Sequence, residues 1–353
     1  MDSLQTQAVA RQISSVRWLP PRAGNAYTDS ELYFVTGSRG KHKELILWTT
    51  ENPDFQQTGS SDGALATLVA RTAHDGDVEQ IAAPRPDLVA TVSSYGTISL
   101  YGIDGSDGSS SLALRQSVSA HRFANGEPAV ATGVAVQPVA GADAEVASCG
   151  EDGRLACAPL SRLDALQQYD VDSTVVTGVC WPTPKQLAVS TRAGQVKLFD
   201  RRAMDEVSAV FVDPSRAYAL ESIAVHPSQS FRVATGTDQG TVLLWDIRNP
   251  KQPTMEVFNI HEANVWAVQF HPADAAKIVS CSDDATIAIA QWLADSPDAA
   301  ARRPVRRLGS FFNTLSINCL DVCPFTRTSL LVAGSDSCNL LMDKRPAGDP
   351  ALL

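Results

Sequence analysis

Apolar residues along the chain fall into short alternating runs, and many of these runs end on small residues: FVTGS, LVATVSS, EVASCG, LAVST, RVATGT, KIVSCS and LLVAGS. Alternation with period two is the signature of a strand with one face buried. The middle small positions, Gly37, Val92, Cys149, Ser190, Gly236, Cys281 and Gly334, recur at intervals of 41 to 57 residues. A period near 40 to 50 residues built from short strands points to the four-stranded blades of a propeller, with polar Gly-rich loops accounting for the longer intervals.

The flanking residues fill in the unit. After each small run comes a turn and a second strand, as in GEDGRLACA (150–158) and TDQGTVLLWD (237–246), where Asp-Gly and Gln-Gly supply the positive φ of a tight hairpin. Before it comes a strand closed by proline, as in ESIAVHP (221–227) and VWAVQFHP (265–272). Seven such units predict an all-β, seven-bladed propeller forming one domain over 1–353. The seventh unit runs out of chain, because only a Pro- and Gly-containing tail remains at 346–353. The spare segment LQTQAVARQ at 4–12 is therefore expected to supply the missing outer strand of blade seven and close the ring.

TGTDQGTVLLWDIR and HEANVWAVQFHP resemble WD40 repeats. That family builds a buried network from a blade-entrance His, a Ser or Thr, a turn Asp and a Trp. The corresponding positions here are Trp48, Asp152, Thr235, Trp245, Asp246, His261, Ser280 and Asp284. No blade keeps all four groups: blade six has Ala290 in the Trp position, and blade five has Gln239 in the Asp position. Most blades are accordingly expected to rely on apolar packing.

Composition narrows the function. With 29 Lys+Arg against 39 Asp+Glu the formal net charge is -10, which disfavours nucleic acid and acidic membrane surfaces as direct partners. The seven cysteines, an odd number set mostly in apolar runs, read as buried thiols of an intracellular protein. Neither a signal sequence nor a membrane span is expected. No G-x-G-x-x-G after a strand, Walker-type loop, H-E-x-x-H or G-x-S-x-G is present, so no catalytic residue, cofactor, metal or small-molecule substrate is assigned. Cys319 and Cys323 read as core packing, and His74, His121, His226, His261 and His271 follow repeat positions.

Two surface features carry candidate chemistry. Alignment of the repeats places Glu79, Glu221 and Trp266 at the rim of the short-loop face, with Glu151, Asp238, Asp283 and Asp336 in the adjoining turns. Carboxylates around an exposed aromatic suit a Lys/Arg-rich partner segment; the same acids are also what an acidic chain places on any face. RRPVRR (302–307) reads as an exposed outer strand or as a docking patch for an acidic partner. The long inserts at 19–31, 51–63, 104–111 and 293–304 all fall on the opposite face, as tolerated loops or as a partner-facing surface.

Beyond the generic repeat, ISSVRWLPP (13–21), SCGEDGRLACAPL (148–160), HPSQSFRVATGTDQGTVLLWDIR (226–248), HEANVWAVQFHP (261–272) and SINCLDV (316–322) resemble the WD40 nucleoporins of the Y-shaped outer-ring scaffold of the nuclear pore. The resemblance implies a non-enzymatic scaffold subunit at the nuclear envelope. Such a subunit docks on other nucleoporins, above all a helical-solenoid subunit, and supports pore assembly and the transport of protein and mRNA. WDIR (245–248) is also similar to the WDxR signature of substrate receptors for cullin-RING ubiquitin ligases, in which Arg248 would contact the adaptor.

Overall fold

The computed structural model describes residues 2–21, 30–55, 64–106, 109–139, 141, 144–213, 217–249, 251, 255–257, 260–274, 276–291, 305–309, 315–326 and 328–346. They form seven sheets arranged as a ring, antiparallel except for one two-residue strand, with two short 3-10 turns, Pro53–Phe55 and Leu163–Ala165, and no α-helix among the described residues. The innermost strands, which open the blades in order, are Gln12–Trp18, Val78–Arg85, Ala131–Val136, Val176–Thr183, Leu220–Val225, Val265–Phe270 and Ile317–Val322. Each is followed outward by its hairpin neighbours.

Burial explains the small residues. Seven clusters of buried side chains fill the ring, one between each pair of neighbouring blades, so the second strand of a blade is covered on both faces. The blades approach so closely that a Cβ on Gly37 would lie 2.3 Å from Val78 Cγ1, and one on Gly334 would lie 2.2 Å from Ile13 Cγ2. Polar contacts cross the same interfaces: Gln80 Oε1 accepts from Val134 N at 2.6 Å, and Gln269 Oε1 accepts from Val322 N at 3.1 Å.

Ring closure follows the expectation and adds to it. Gln5–Ala8 pairs antiparallel with Asn339–Pro346 as the outer strand of blade seven, from Gln5 opposite Met342 to Ala8 opposite Asn339. Gln12 already belongs to blade one, so the closing strand is shorter than 4–12. Ahead of it, Asp2–Ser3 runs parallel to Val305–Gly309 and gives blade six a fifth strand. Gln7 ties the closing strand to blade one by donating Nε2 to Ala66 O at 3.0 Å and accepting from Ala66 N at 2.9 Å. Deeper in the same seam, buried Asp321 of blade seven accepts from Trp18 N at 2.8 Å and pairs with Arg17 at 3.3 Å.

One expected insert is corrected. Residues 104–111 are largely strand: Thr97–Ser106 and Ser109–Ser119 form an extended hairpin, because Ile103 and Leu112 are buried against blade one. Of the other inserts, 22–29, 56–63 and 292–304 lie outside the described residues, as do Arg302, Arg303 and the tail from 347. Within the basic run, Arg306 and Arg307 are half-buried on the outer strand of blade six.

Candidate functional site

A repeated irregularity builds the short-loop face. In every blade the innermost strand carries a bulge against the second strand, skipping Ser14, Glu79, Thr132, Thr177, Glu221, Trp266 and Asn318 in turn. A bulge leaves its extra residue out of the ladder and re-aims the side chain. All seven of these residues line one cavity of about 910 Å³, which continues along the inner strands past Ala82 and Val136 to Pro84 and Pro138. The turn after each second strand adds Arg39, Ser94, Glu151, Arg192, Asp238, Asp283 and Asp336 at equivalent positions.

Of the seven residues singled out for partner binding, Glu79, Glu221, Trp266, Asp283 and Asp336 line this funnel, whereas Glu151 and Asp238 do not. The cations at the same turn positions, overlooked in the sequence, change the electrostatics. Arg39 of blade one reaches both carboxylate oxygens of Asp336 in blade seven at 2.7 Å, and Arg192 of blade four meets Glu221 of blade five at 3.3 Å. Trp266 is half-buried rather than exposed, and its indole Nε1 donates to Asp283 at 2.6 Å. Asp238 accepts from Ala219 N at 3.0 Å.

The side-chain carboxylates of Glu79 and Glu151 make no hydrogen bond or ion pair among the described residues. Burial pushes the Glu79 carboxyl up to about 7, against the opposing pull of Arg39 and with help from Asp77 and Glu151. Burial also raises Glu221, which its contact with Arg192 only partly offsets.

The repeat network is more complete than expected, though divided among blades. In blade six His261 lies 3.0 Å from Asp284 and 2.9 Å from Ser280; in blade three His121 lies 2.9 Å from Asp152 and 2.8 Å from Ser148. In blades one and five the Trp–Thr half survives alone: Trp48 Nε1 donates to Thr36 at 2.8 Å and Trp245 Nε1 to Thr235 at 2.9 Å. Blade two keeps His74 with Thr91 at 2.9 Å, and Tyr101 stacks on the ring in the Trp position. Burial would push the Asp152 and Asp284 carboxyls up, but hydrogen bonds from their histidines and neighbours hold both below the usual range.

The Ser–His–Asp sets have the spacing of a hydrolase triad without its access. A nucleophile must reach a substrate carbonyl, yet Ser148 is 0% and Ser280 1% exposed and neither borders the funnel. The carboxylate can only accept, so each His Nδ1 carries the proton and Nε2 accepts from the serine hydroxyl. This arrangement ties a blade entrance to its second strand.

Asp246 and Arg248 lie at the outer end of blade five. Arg248 donates to both Asp246 oxygens and its guanidinium lies 3.5 Å from the Phe231 ring centroid, and blade four repeats the pair as Asp200 and Arg202. Among the described residues, no group of three or more His, Cys, Asp or Glu is placed to hold a metal ion, and no helix is long and apolar enough to cross a membrane.

Residues 166–340 match the β-propeller family described as Nucleolar protein 10-like, N-terminal domain. The chain is 27% identical to Nucleoporin Nup43 of Homo sapiens over 81% of its own length and 75% of the human protein. It is 25% identical to Nucleoporin Nup43 of Mus musculus, covering 85% of this chain and 79% of that one. Nuclear pore complex protein NUP43 of Arabidopsis thaliana is 25% identical over 41% of this chain and 47% of its own. Seven four-stranded repeats with divided His–Ser–Asp and Trp–Thr networks define a WD40 β-propeller. Within that class the chain is Nup43-like.

Proposed function

We propose that this protein is a non-enzymatic scaffold subunit of the nuclear pore, held in the outer ring by other nucleoporins and resident at the nuclear envelope. The observation that carries the reading is its similarity to Nup43 over four-fifths of the chain. The fold agrees in kind: a closed ring whose reactive-looking side chains are sealed inside the blades offers surfaces rather than chemistry.

The finer assignment is docking on a helical-solenoid nucleoporin, in support of pore assembly and of protein and mRNA transport. The docking face in this reading is the short-loop face, where Glu79, Glu221, Trp266, Asp283 and Asp336 line the funnel and Glu151 and Asp238 occupy turns outside its lining. Fields of one sign speed encounter with a partner of the other.

Affinity purification of the tagged full chain from cells tests the reading. Recovery of nuclear-pore scaffold subunits is the expected result. Recovery instead of a cullin-ligase adaptor, lost on Arg248→Ala, would replace it with the ligase-receptor alternative.

A further inference from the structure

Every blade ends in an outer strand, and the chain treats these edges unequally. Blade six takes a fifth strand, Asp2–Ser3, and blade seven ends in the four-residue closing strand that Gln7 ties to blade one. Blades three and five end in short strands, Gln167–Asp170 and Met255–Val257. In blade two the edge residue Gln116 is spent on blade three, donating Nε2 to Ser161 O at 3.2 Å and accepting from Leu163 N at 2.9 Å. The seven-residue edge of blade one, Thr67–Ala73, carries the exposed Arg71. Short strands, side-chain ties and edge charges are the devices by which sheets avoid pairing with other chains. The outer strand of blade four, Ala203–Val212, is ten residues long, and among the described residues nothing bonds to its outward edge.

That strand also shows an apolar stripe. Val207, Val210 and Val212 are each 42% exposed. They share one face because the ladder skips Ser208: Val207 lies opposite Phe199, Val210 opposite Lys197 and Val212 opposite Gln195, whereas Ala209 and Phe211 turn inward toward blade five. The valine face looks toward blade three, across an open groove of about 610 Å³ whose lining includes Asp170, Asp172, Gln195 and Lys197. Blade three's own outer strand is too short to cover it. The local cations are answered, Lys197 by Asp172 at 2.8 Å and Arg202 by Asp200. The exposed carboxylates of Asp205 and Glu206 make no hydrogen bond or ion pair among the described residues.

We infer that Ala203–Val212 is a strand-addition site, where an extended partner segment with alternating β-branched residues and Lys or Arg at its flanks pairs as a fifth strand of blade four. An unpaired backbone edge selects an extended chain, the valine stripe selects apolar residues at every second position, and the unanswered acids select basic flanks. Blade six shows that a blade of this ring accommodates a fifth strand on its outer edge. A second copy fits less well, since it brings a net charge of -10 and no unpaired cation on the same edge. The site lies on the outer wall of the ring, away from the funnel, and does not depend on the pore assignment.

Hydrogen–deuterium exchange of the full chain with the capped peptide Lys-Val-Thr-Val-Thr-Val-Lys tests the inference. The expected result is slower exchange across 203–212 and unchanged exchange in the outer strand of blade one. Glutamate in place of both peptide lysines, and Val210→Lys in the protein, should each weaken binding on the order of tenfold. Val210 is exposed, so the variant should keep its fold, which its exchange pattern without peptide checks; Val207→Lys repeats the test on the other side of the bulge. Absence of protection at 203–212, equal protection of all outer strands, or unchanged affinity in both variants would overturn the inference. So would a concentration-dependent dimer of the free chain that Val210→Lys abolishes, because the edge then belongs to a second copy.

Discussion

Gly334 shows how one residue position governs the spacing of two blades. A methyl group there would meet Ile13 at 2.2 Å, inside the cluster that joins blades seven and one, and neither backbone can retreat without moving a whole sheet. Gly334→Ala should cost about 2 kcal/mol in a chemical denaturation curve; an unchanged midpoint would show that the seam can give way. Glu79 acts through charge instead. Its pKa is raised from 4.5 to about 7, so its contribution to stability is fully present below 4.5 and is lost as pH rises through 7. Burial lowers the pKa of His74 and His271, which pulls the other way below their ordinary value of 6.5, so the informative quantity is the difference between variants. Glu79→Gln should match the wild type near pH 5 and exceed it by on the order of 2 kcal/mol at pH 8; a pH-independent difference would refute the assignment. The acids of the funnel were legible by aligning repeats. Arg39 and Arg192 occupy the same turn positions, so the repeat alignment that marks the acids also places their counter-charges. The bulge that aims all these side chains leaves no mark in the residue pattern, since Ser14, Thr132 and Trp266 share neither size nor polarity.

Elements were read most securely where burial is two-sided. The second strands, with small residues between apolar ones, announced themselves in every repeat because only small side chains fit where sheets nearly touch. The hairpin at 97–119 reads as a loop over 104–111 because Gly and Ser dominate that stretch, while the buried Ile103 and Leu112 lie just outside it. Asp2–Ser3 could not be foreseen, because two residues carry no period. The closing strand was legible from a deficit, blade seven lacking an outer strand while the N-terminus had one to spare. Gln5–Ala8 covers the edge of a strand whose Leu340, Leu341 and Met342 are fully buried, and Leu4 is packed into the cluster between blades six and seven. Removing residues 1–8 should therefore lower the melting temperature and promote association through the bared edge; a melting transition and a monomer fraction equal to those of the full chain would show that the strand is dispensable.

For the whole molecule, the decisive feature is that the row of blades meets itself. In an open array of repeats, stability is a sum of units and neighbour interfaces, and end units can melt first. Here no blade is an end, because each face is buried against a neighbour, and blades seven and one are joined by a hydrophobic cluster as full as any other. The seam also holds a buried acid: Asp321 accepts from Trp18 N and pairs with Arg17, while Trp18 Nε1 donates to Asp321 O at 3.2 Å. Replacing it by alanine leaves the Trp18 N–H and Arg17 Nη1 without their acceptor, although Arg17 Nε keeps Ile81 O, at a cost of about 3 kcal/mol. If closure couples the ring, that loss belongs to the whole molecule: Asp321→Ala should shift a single unfolding transition to lower denaturant, with tryptophan fluorescence and far-ultraviolet circular dichroism still coincident. Trp18 and Trp48 report on blade one, and Trp181, Trp245 and Trp266 report on blades four, five and six, so melting confined to the seam would separate the two signals. Non-coincident curves in the variant would mean that the blades behave as a chain of independent sheets. The scaffold role proposed above calls for the other outcome, because a load taken at one blade is then borne by all seven.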